Sequence, residues 1–296
     1  LFGFVGEARL REACAGLPES ARARYSADRA RSAVAAALSF GEGPAELPEG
    51  ARGMERPLAR LARFARADWY AELSARLRAA ASLARGALAA EGLEPGRARD
   101  WRYLANSGLP ERRLAVEAGL GSPGRHGLVM SPGHGSAVVL GLLLMPVPIR
   151  PEAEAPSAAR SALDGSCADC EACIEACPTG ALGRGAFDRE LCLQHWSSVP
   201  GRLPPAVEAS WGDRLYGCDA CQEACPLFKP DPAARTSRGL LGPGLPARFV
   251  ARAPAGELRE RLRGSALGMG WISPEALARN AALALRSAGT GDPAIP

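Results

Sequence analysis

The sequence predicts an α+β architecture, and three features carry that prediction. The run from Ser136 to Ile149 is apolar and bounded by glycine and proline, the composition of a buried strand. Leu58 to Ala90 repeats apolar residues at helical spacing. Every cysteine but one lies between Ser157 and Pro230, among glycines and prolines, in a stretch that a metal rather than a hydrophobic core would organise.

The elements follow in order. Ala33 to Phe40 is a short apolar run of strand type, and Gly41 to Gly53, rich in Gly, Pro and Glu, is a loop. In the segment 58–90, Leu58, Leu61, Phe64, Trp69, Leu73, Leu77, Ala81 and Ala84 fall near one helical face, interleaved with arginines. Tyr103 to Ala118 holds a turn and a second helix; Gly119 to Gly135 is glycine-rich and broken by proline. A Pro/Gly-rich linker begins at Asp231, and Pro274 to Ser287 is helical, with Pro274 suited to a first turn. Three domains are expected: 1–156, 157–230 and 231–296.

The 296 residues are 47% hydrophobic with a mean hydropathy of −0.07, enough for one large domain and a smaller one, or for two compact units. The longest apolar run, Ala137 to Ile149, holds Pro146 and Pro148 and is too short to span a bilayer, so no membrane partner is expected. The N-terminus shows no basic segment followed by an apolar one, so no secretory signal is expected and the chain reads as cytoplasmic. Cytosolic thiols stay reduced, which makes the cysteines metal ligands rather than disulfides. The net charge of +4 rests almost wholly on arginine, Lys229 being the only lysine. So mild an excess is compatible with a nucleic-acid partner without arguing for one.

The cysteine spacing is the sharpest signal. Cys167, Cys170, Cys173 and Cys177, followed by Pro178, form C-x2-C-x2-C-x3-C-P, the spacing of bacterial double-cubane ferredoxins. Downstream, Cys218, Cys221 and Cys225, followed by Pro226, repeat the pattern less one cysteine, which Cys192 can supply. Because the fourth cysteine of each run serves the other cluster, one [4Fe-4S] cluster takes Cys167, Cys170, Cys173 and Cys225, and the second takes Cys177, Cys192, Cys218 and Cys221. A zinc ribbon would need only two separated C-x2-C pairs. With every iron ligated by protein, the clusters relay electrons rather than bind substrate. Cys14 stands alone and reads as a small buried hydrophobe.

Gly119, Gly121 and Gly124 match G-x-G-x-x-G, but the preceding segment is helical and Pro123 prevents a following helix, so this is not a dinucleotide fingerprint. The glycines instead indicate close approach of backbone to a ligand or to another chain segment.

Glu111 to Gly121, then Gly124-Arg125, Pro132, Gly135-Ser136 and Leu140-Gly141 resemble the core of the epoxyqueuosine reductase family. So do the cysteine block, Arg63 to Tyr70, Gly264-Ser265-Ala266 and Leu277 to Ala282. The resemblance runs in order along most of the chain. It implies an N-terminal α/β domain that binds base-off cobalamin, a ferredoxin-like domain and a short helical tail. The implied reaction removes the epoxide oxygen of epoxyqueuosine in tRNA, the last step of queuosine synthesis. Electrons would come from a donor such as flavodoxin or ferredoxin. Gly119, Gly121, Gly124, Arg125 and Ser136 are the cofactor-binding residues the resemblance suggests. Cobalamin-dependent reductive dehalogenases share part of the pattern.

The chain also departs from the family. Asn106 stands at or beside the place of the family's proton-donating aspartate, and an amide cannot be a general acid. Tyr103, His126 and His134 are the alternative donors; otherwise the alignment slips there, or the substrate differs. Gly121 to His126 replaces a Gly-Trp-Ile-Gly-Lys-Asn-like stretch. His195 is expected to pack near the second cluster, and Arg63 and Arg66 to meet phosphate, the corrinoid or solvent; Tyr103 and Tyr216 also suit plain packing. Three readings stand: an epoxyqueuosine reductase, a cobalamin-dependent reductase of another substrate, and a non-catalytic electron carrier.

Overall fold

The computed structural model describes residues 1–42, 56–149, 167–183 and 185–289. In chain order the strands are β1 (Phe2–Gly6), β2 (Ser32–Ser39), β3 (Leu58–Leu61), β4 (Arg102–Ala105), β5 (Ser122–Pro123), β6 (Val129–Met130), β7 (Val138–Met145), β8 (Arg214–Tyr216) and β9 (Gly244–Pro246). The helices of the first half are α1 (Glu7–Cys14), α2 (Glu19–Tyr25), α3 (Trp69–Ala90) and α4 (Glu111–Glu117). Most of the expected Gly41–Gly53 loop lies outside the described residues.

The chain divides into two units, Leu1–Ser39 with Tyr70–Asp169, and Phe40–Trp69 with Cys170–Pro296. This replaces the expected division at 156 and 230. The reason is pairing across long sequence distances: β3 lies between β8, to which it is parallel, and β9, to which it is antiparallel. The segment 56–69 is thereby bound to residues far downstream. The expected linker and tail supply a strand and core helices to the second unit rather than a separate domain.

The first unit is built on a four-stranded sheet in the order β1-β2-β7-β4, with every neighbour antiparallel. β7 is central and mostly buried, as its apolar composition requires. α3 places Leu73, Leu77 and Ala81 in the interior at four-residue steps. Gly141 of β7 marks where α3 comes close, since a Cβ there would lie 2.7 Å from the Leu104 oxygen and 2.8 Å from Leu73 Cδ2. Cys14 is buried in the core with Leu10 and Leu114.

The helix expected from Leu58 onward begins only at Trp69. Leu58–Leu61 alternates as a strand, with Ala59 and Leu61 fully buried. In the second unit the C-terminal helix Pro274–Ser287 has its expected bounds, opened by a Ser273 hydroxyl that accepts the Ala276 N–H at 3.1 Å. It packs Leu277, Ala281 and Leu285 with Ala59, Leu61 and Leu215. Among the described residues, no helix is long and apolar enough to cross a membrane.

Candidate active-site cleft and cluster-binding cysteines

A cleft of about 840 Å³ opens in the first unit. Its walls are the Asn106–Ser107 turn, α4 with Glu111 and Val116, the β5–β6 hairpin with Leu128 and Val129, and Val139 of β7. Asn106 adopts φ 52°, a left-handed conformation that asparagine tolerates better than most residues. This turn is held from below by Glu111. One carboxylate oxygen accepts the Ser107 N–H and hydroxyl, both at 2.7 Å, and the other accepts the Asn106 N–H at 3.2 Å. Burial pushes the Glu111 carboxyl above its ordinary value, against the opposing effect of these hydrogen bonds. Arg112 ties α4 to the hairpin through the Gly127 carbonyl at 2.6 Å, and Arg113 pairs with Glu12 and Glu117.

Asn106 borders this cleft, whereas the expected proton donors Tyr103, His126 and His134 are not among its lining residues. Tyr103 lies under the Arg78 guanidinium, 4.7 Å from its ring centre. His126 accepts the Leu128 N–H on Nδ1 at 3.2 Å, which leaves its proton on Nε2. That nitrogen is buried without a partner among the described residues, and burial lowers the ring's pKa. His134 meets Ser131 through its backbone.

The glycines have packing reasons. Gly119 takes φ 76° just past the end of α4. A Cβ on Gly121 would lie 2.0 Å from the Met130 oxygen, and one on Gly124 would lie 2.8 Å from the His126 ring. The close approach is therefore to the chain itself. Arg125 spends its guanidinium on the carbonyls of Cys167 (2.8 Å) and Ala168 (2.7 Å). Ser136 is buried.

In the second unit the cysteine runs form two matching turns. Helix Ala172–Glu175 carries Cys173 and helix Ala220–Glu223 carries Cys221, and the two pack against each other. Their hydrogen bonds repeat: Ile174 N–H to Glu171 O and Gln222 N–H to Asp219 O are both 2.8 Å, while Cys177 N–H to Ile174 O is 3.1 Å and Cys225 N–H to Gln222 O is 3.0 Å. Burial acts to raise the Cys177 thiol, but the N–H groups of Leu182, Thr179 and Ala181 outweigh it and leave the thiol below its ordinary value. Backbone N–H groups of His195 and Gln194 likewise point at Cys192. Cys192 feels the charge of Cys218 and Cys177, and Cys221 feels that of Cys218, Cys192, Cys173 and Cys177. Among the described residues no three such side chains converge on a single-ion site. A cubane needs no such convergence, because its four thiolates sit on separate irons.

The surrounding side chains are committed to this unit. Asp219 is buried and accepts the Arg63 N–H at 2.7 Å, while the Arg63 guanidinium meets Glu223 and Glu42. Arg66 donates to the Glu42 carbonyl at 3.0 Å. Neither arginine is left as a bare solvated face. His195 stands 3.8 Å from Glu190 and edge-on to Trp196. Burial pushes the Tyr216 hydroxyl up to about 12.

The sequence alone did not single out Glu111, which entered only as the first residue of a family-like helix. Nothing in its spacing signals a carboxylate folded back under the preceding turn. Arg279 was equally silent, yet it donates to the Trp196, Val199 and Gly201 carbonyls and holds the loop after Cys192.

Residues 166–227 match the family described as a 4Fe-4S double cluster binding domain, so the chain contains an iron–sulfur double-cluster domain. Over 205 residues it is 31% identical to the epoxyqueuosine reductase of Staphylococcus aureus, covering 69% of this chain and 50% of that protein. Over 264 residues it is 29% identical to that of Bacillus anthracis, covering 86% of this chain and 64% of the relative. The chain thus spans about half the length of its Staphylococcus relative. In three dimensions it resembles epoxyqueuosine reductase from Bacillus subtilis, solved with its catalytic aspartate loop swung out of the active site. The TM-score is 0.69 at 24% identity, covering 98% of this chain and 78% of that one. A second such structure, holding an epoxyqueuosine-modified tRNA-Tyr stem loop, gives a TM-score of 0.65 at 23% identity, over 97% and 77% of the two chains. Sequence and fold together make this chain a divergent relative of the epoxyqueuosine reductases.

Proposed function

We propose that the chain reduces epoxyqueuosine in tRNA to queuosine, with cobalamin as its second cofactor and two [4Fe-4S] clusters as its electron relay. The observation that carries this reading is one chain holding both a double-cluster domain and a walled cleft, in the order shared with proteins named epoxyqueuosine reductase. The cluster ligands are Cys167, Cys170, Cys173 and Cys225, and Cys177, Cys192, Cys218 and Cys221. Thiols bordered by backbone N–H groups suit anionic cubanes.

The first unit also offers groups that fit a corrinoid. The His126 Nε2–H and the Ser131 hydroxyl are buried without partners among the described residues, but neither lines the cleft, so the fit rests on its apolar wall. Val116, Leu128 and Val139 supply apolar wall. When bound, cobalamin supplies the low-potential metal chemistry that cleaves a carbon–oxygen bond. The residues of this chain bind it, exclude water and hold the proton. A tRNA partner, a flavodoxin or ferredoxin donor and a cytoplasmic location accompany this reading.

Anaerobic protein reconstituted with iron, sulfide and cobalamin, given a chemical reductant and an epoxyqueuosine-containing anticodon stem loop, is expected to yield queuosine by nucleoside mass spectrometry. Unchanged epoxyqueuosine from protein carrying both cofactors would refute the assignment. Asn106 favours one alternative, the same reductase chemistry on another substrate. Failure to take up cobalamin would instead leave an electron carrier.

A further inference from the structure

We propose that Glu111 is the proton donor of the cleft, taking the role for which Asn106 is chemically unfit; this rests on the reductase reading above. Four observations lead to it. Glu111 lines the cleft and is bonded to the Asn106–Ser107 turn, so its carboxyl lies beside the residue that the resemblance sets at or near the family's aspartate. It faces no cation. Arg112 is spent on the Gly127 carbonyl and Arg113 on Glu12 and Glu117, while the nearby Tyr25 hydroxyl accepts the Gly108 N–H at 3.0 Å. Its partners are hydrogen-bond donors, which favour the carboxylate; of these only the Ser107 hydroxyl on Oε1 can turn to accept, so that is the oxygen on which a proton keeps a partner. Burial favours the protonated form and outweighs these hydrogen bonds, the direction a general acid requires.

The competing donors are weaker. The His126 ring is neutral at ordinary pH because burial lowers its pKa, and the Tyr103 ring lies under Arg78, off the cleft. Asn106 keeps its place for a different reason: the turn needs a residue that accepts positive φ, and the amide does this without a second negative charge beside Glu111.

The reaction balances as an epoxide plus two electrons and two protons giving an alkene and water. A low-potential one-electron carrier supplies the electrons through the clusters. The Glu111 carboxyl gives one proton to the departing oxygen, breaking its own O–H bond as the C–O bond breaks. Solvent entering the open cleft supplies the second proton and restores the carboxyl.

The test uses the fully reconstituted protein and has two readouts. In the first, carbon-13 NMR of glutamate-labelled protein should show one carboxyl titrating clearly above the ordinary 4.5, and that resonance should vanish in Glu111→Gln. In the second, Glu111→Gln should lower kcat about a hundredfold or more with little change in KM. The fall in rate at alkaline pH should also disappear, and Glu111→Asp should restore part of the activity. Wild-type turnover that survives Glu111→Gln with the same pH profile overturns the proposal and leaves the reductase reading intact. Inert wild-type protein refutes the reductase reading, and the titration then decides alone. A Glu111 carboxyl in the ordinary range ends the donor role, and one held high retains it for another substrate.

Discussion

Asn280 and Leu215 are joined across the interior of the second unit by a 2.8 Å hydrogen bond from the Asn280 amide to the Leu215 carbonyl. The same nitrogen donates to the Ser197 carbonyl at 2.9 Å, and the side chain is fully buried. One amide on the C-terminal helix therefore serves both β8 and the loop that follows Cys192. Replacing it with alanine strands two buried carbonyls, at a cost of about 3 kcal/mol. Asn280→Asp is expected to cost at least as much, because a carboxylate would face those oxygens. Anaerobic chemical denaturation measures both. If Asn280→Ala unfolds at the wild-type midpoint, the amide does not clamp these segments.

How much of this was legible in the sequence depends on whether each cause is local. The C-terminal helix was, because Ser273, Pro274 and a four-residue apolar step sit together in the chain. β2 and β7 were, because central strands are apolar on both faces. β3 was not. Leu58, Leu61 and Phe64 mimic a helical stripe, and the partners that make the segment a strand lie near residues 215 and 245. β1 was missed because it is an edge strand with Phe2 and Phe4 exposed. In the site, the cysteine runs stand out because their spacing is local in the chain, and residues 166–227 match a double-cluster family. Glu111 does not, since its role comes from a turn folded back over it.

Gly121 separates a packing role from a cofactor role. A methyl group there would collide with the Met130 carbonyl whether or not any corrinoid is bound. Gly121→Ala is therefore expected to lose about 2 kcal/mol or more in cobalamin-free protein, the usual cost of forcing an extra carbon into a packed site. If the loss appears only when cobalamin is present, the glycine serves the cofactor instead.

The iron content tests the cysteine assignment one thiol at a time. Fully reconstituted wild-type protein should hold about eight irons, and Cys192→Ser about four, with the surviving cubane still visible by electron paramagnetic resonance. Cys14→Ala should retain the full complement, because Cys14 lies in the core of the first unit among Leu10 and Leu114. Full iron in Cys192→Ser would refute its place in the second cluster.

Glu111 should also leave a mark on the pH dependence of folding. Its folded carboxyl titrates above the ordinary 4.5, with burial as the leading cause. Between those two values the folded chain holds more protons than the unfolded one, so stability falls as pH rises. The contribution is complete below 4.5 and is lost as pH climbs through the folded value. Glu111→Gln cannot titrate. It also replaces one acceptor oxygen with an amide donor, so it starts less stable than wild type. The gap between the two proteins should therefore narrow as pH rises, when measured by anaerobic urea denaturation between about pH 5 and pH 8. A constant gap would mean that Glu111 ionises alike in both states, and a widening one that the turn stabilises the carboxylate rather than the acid.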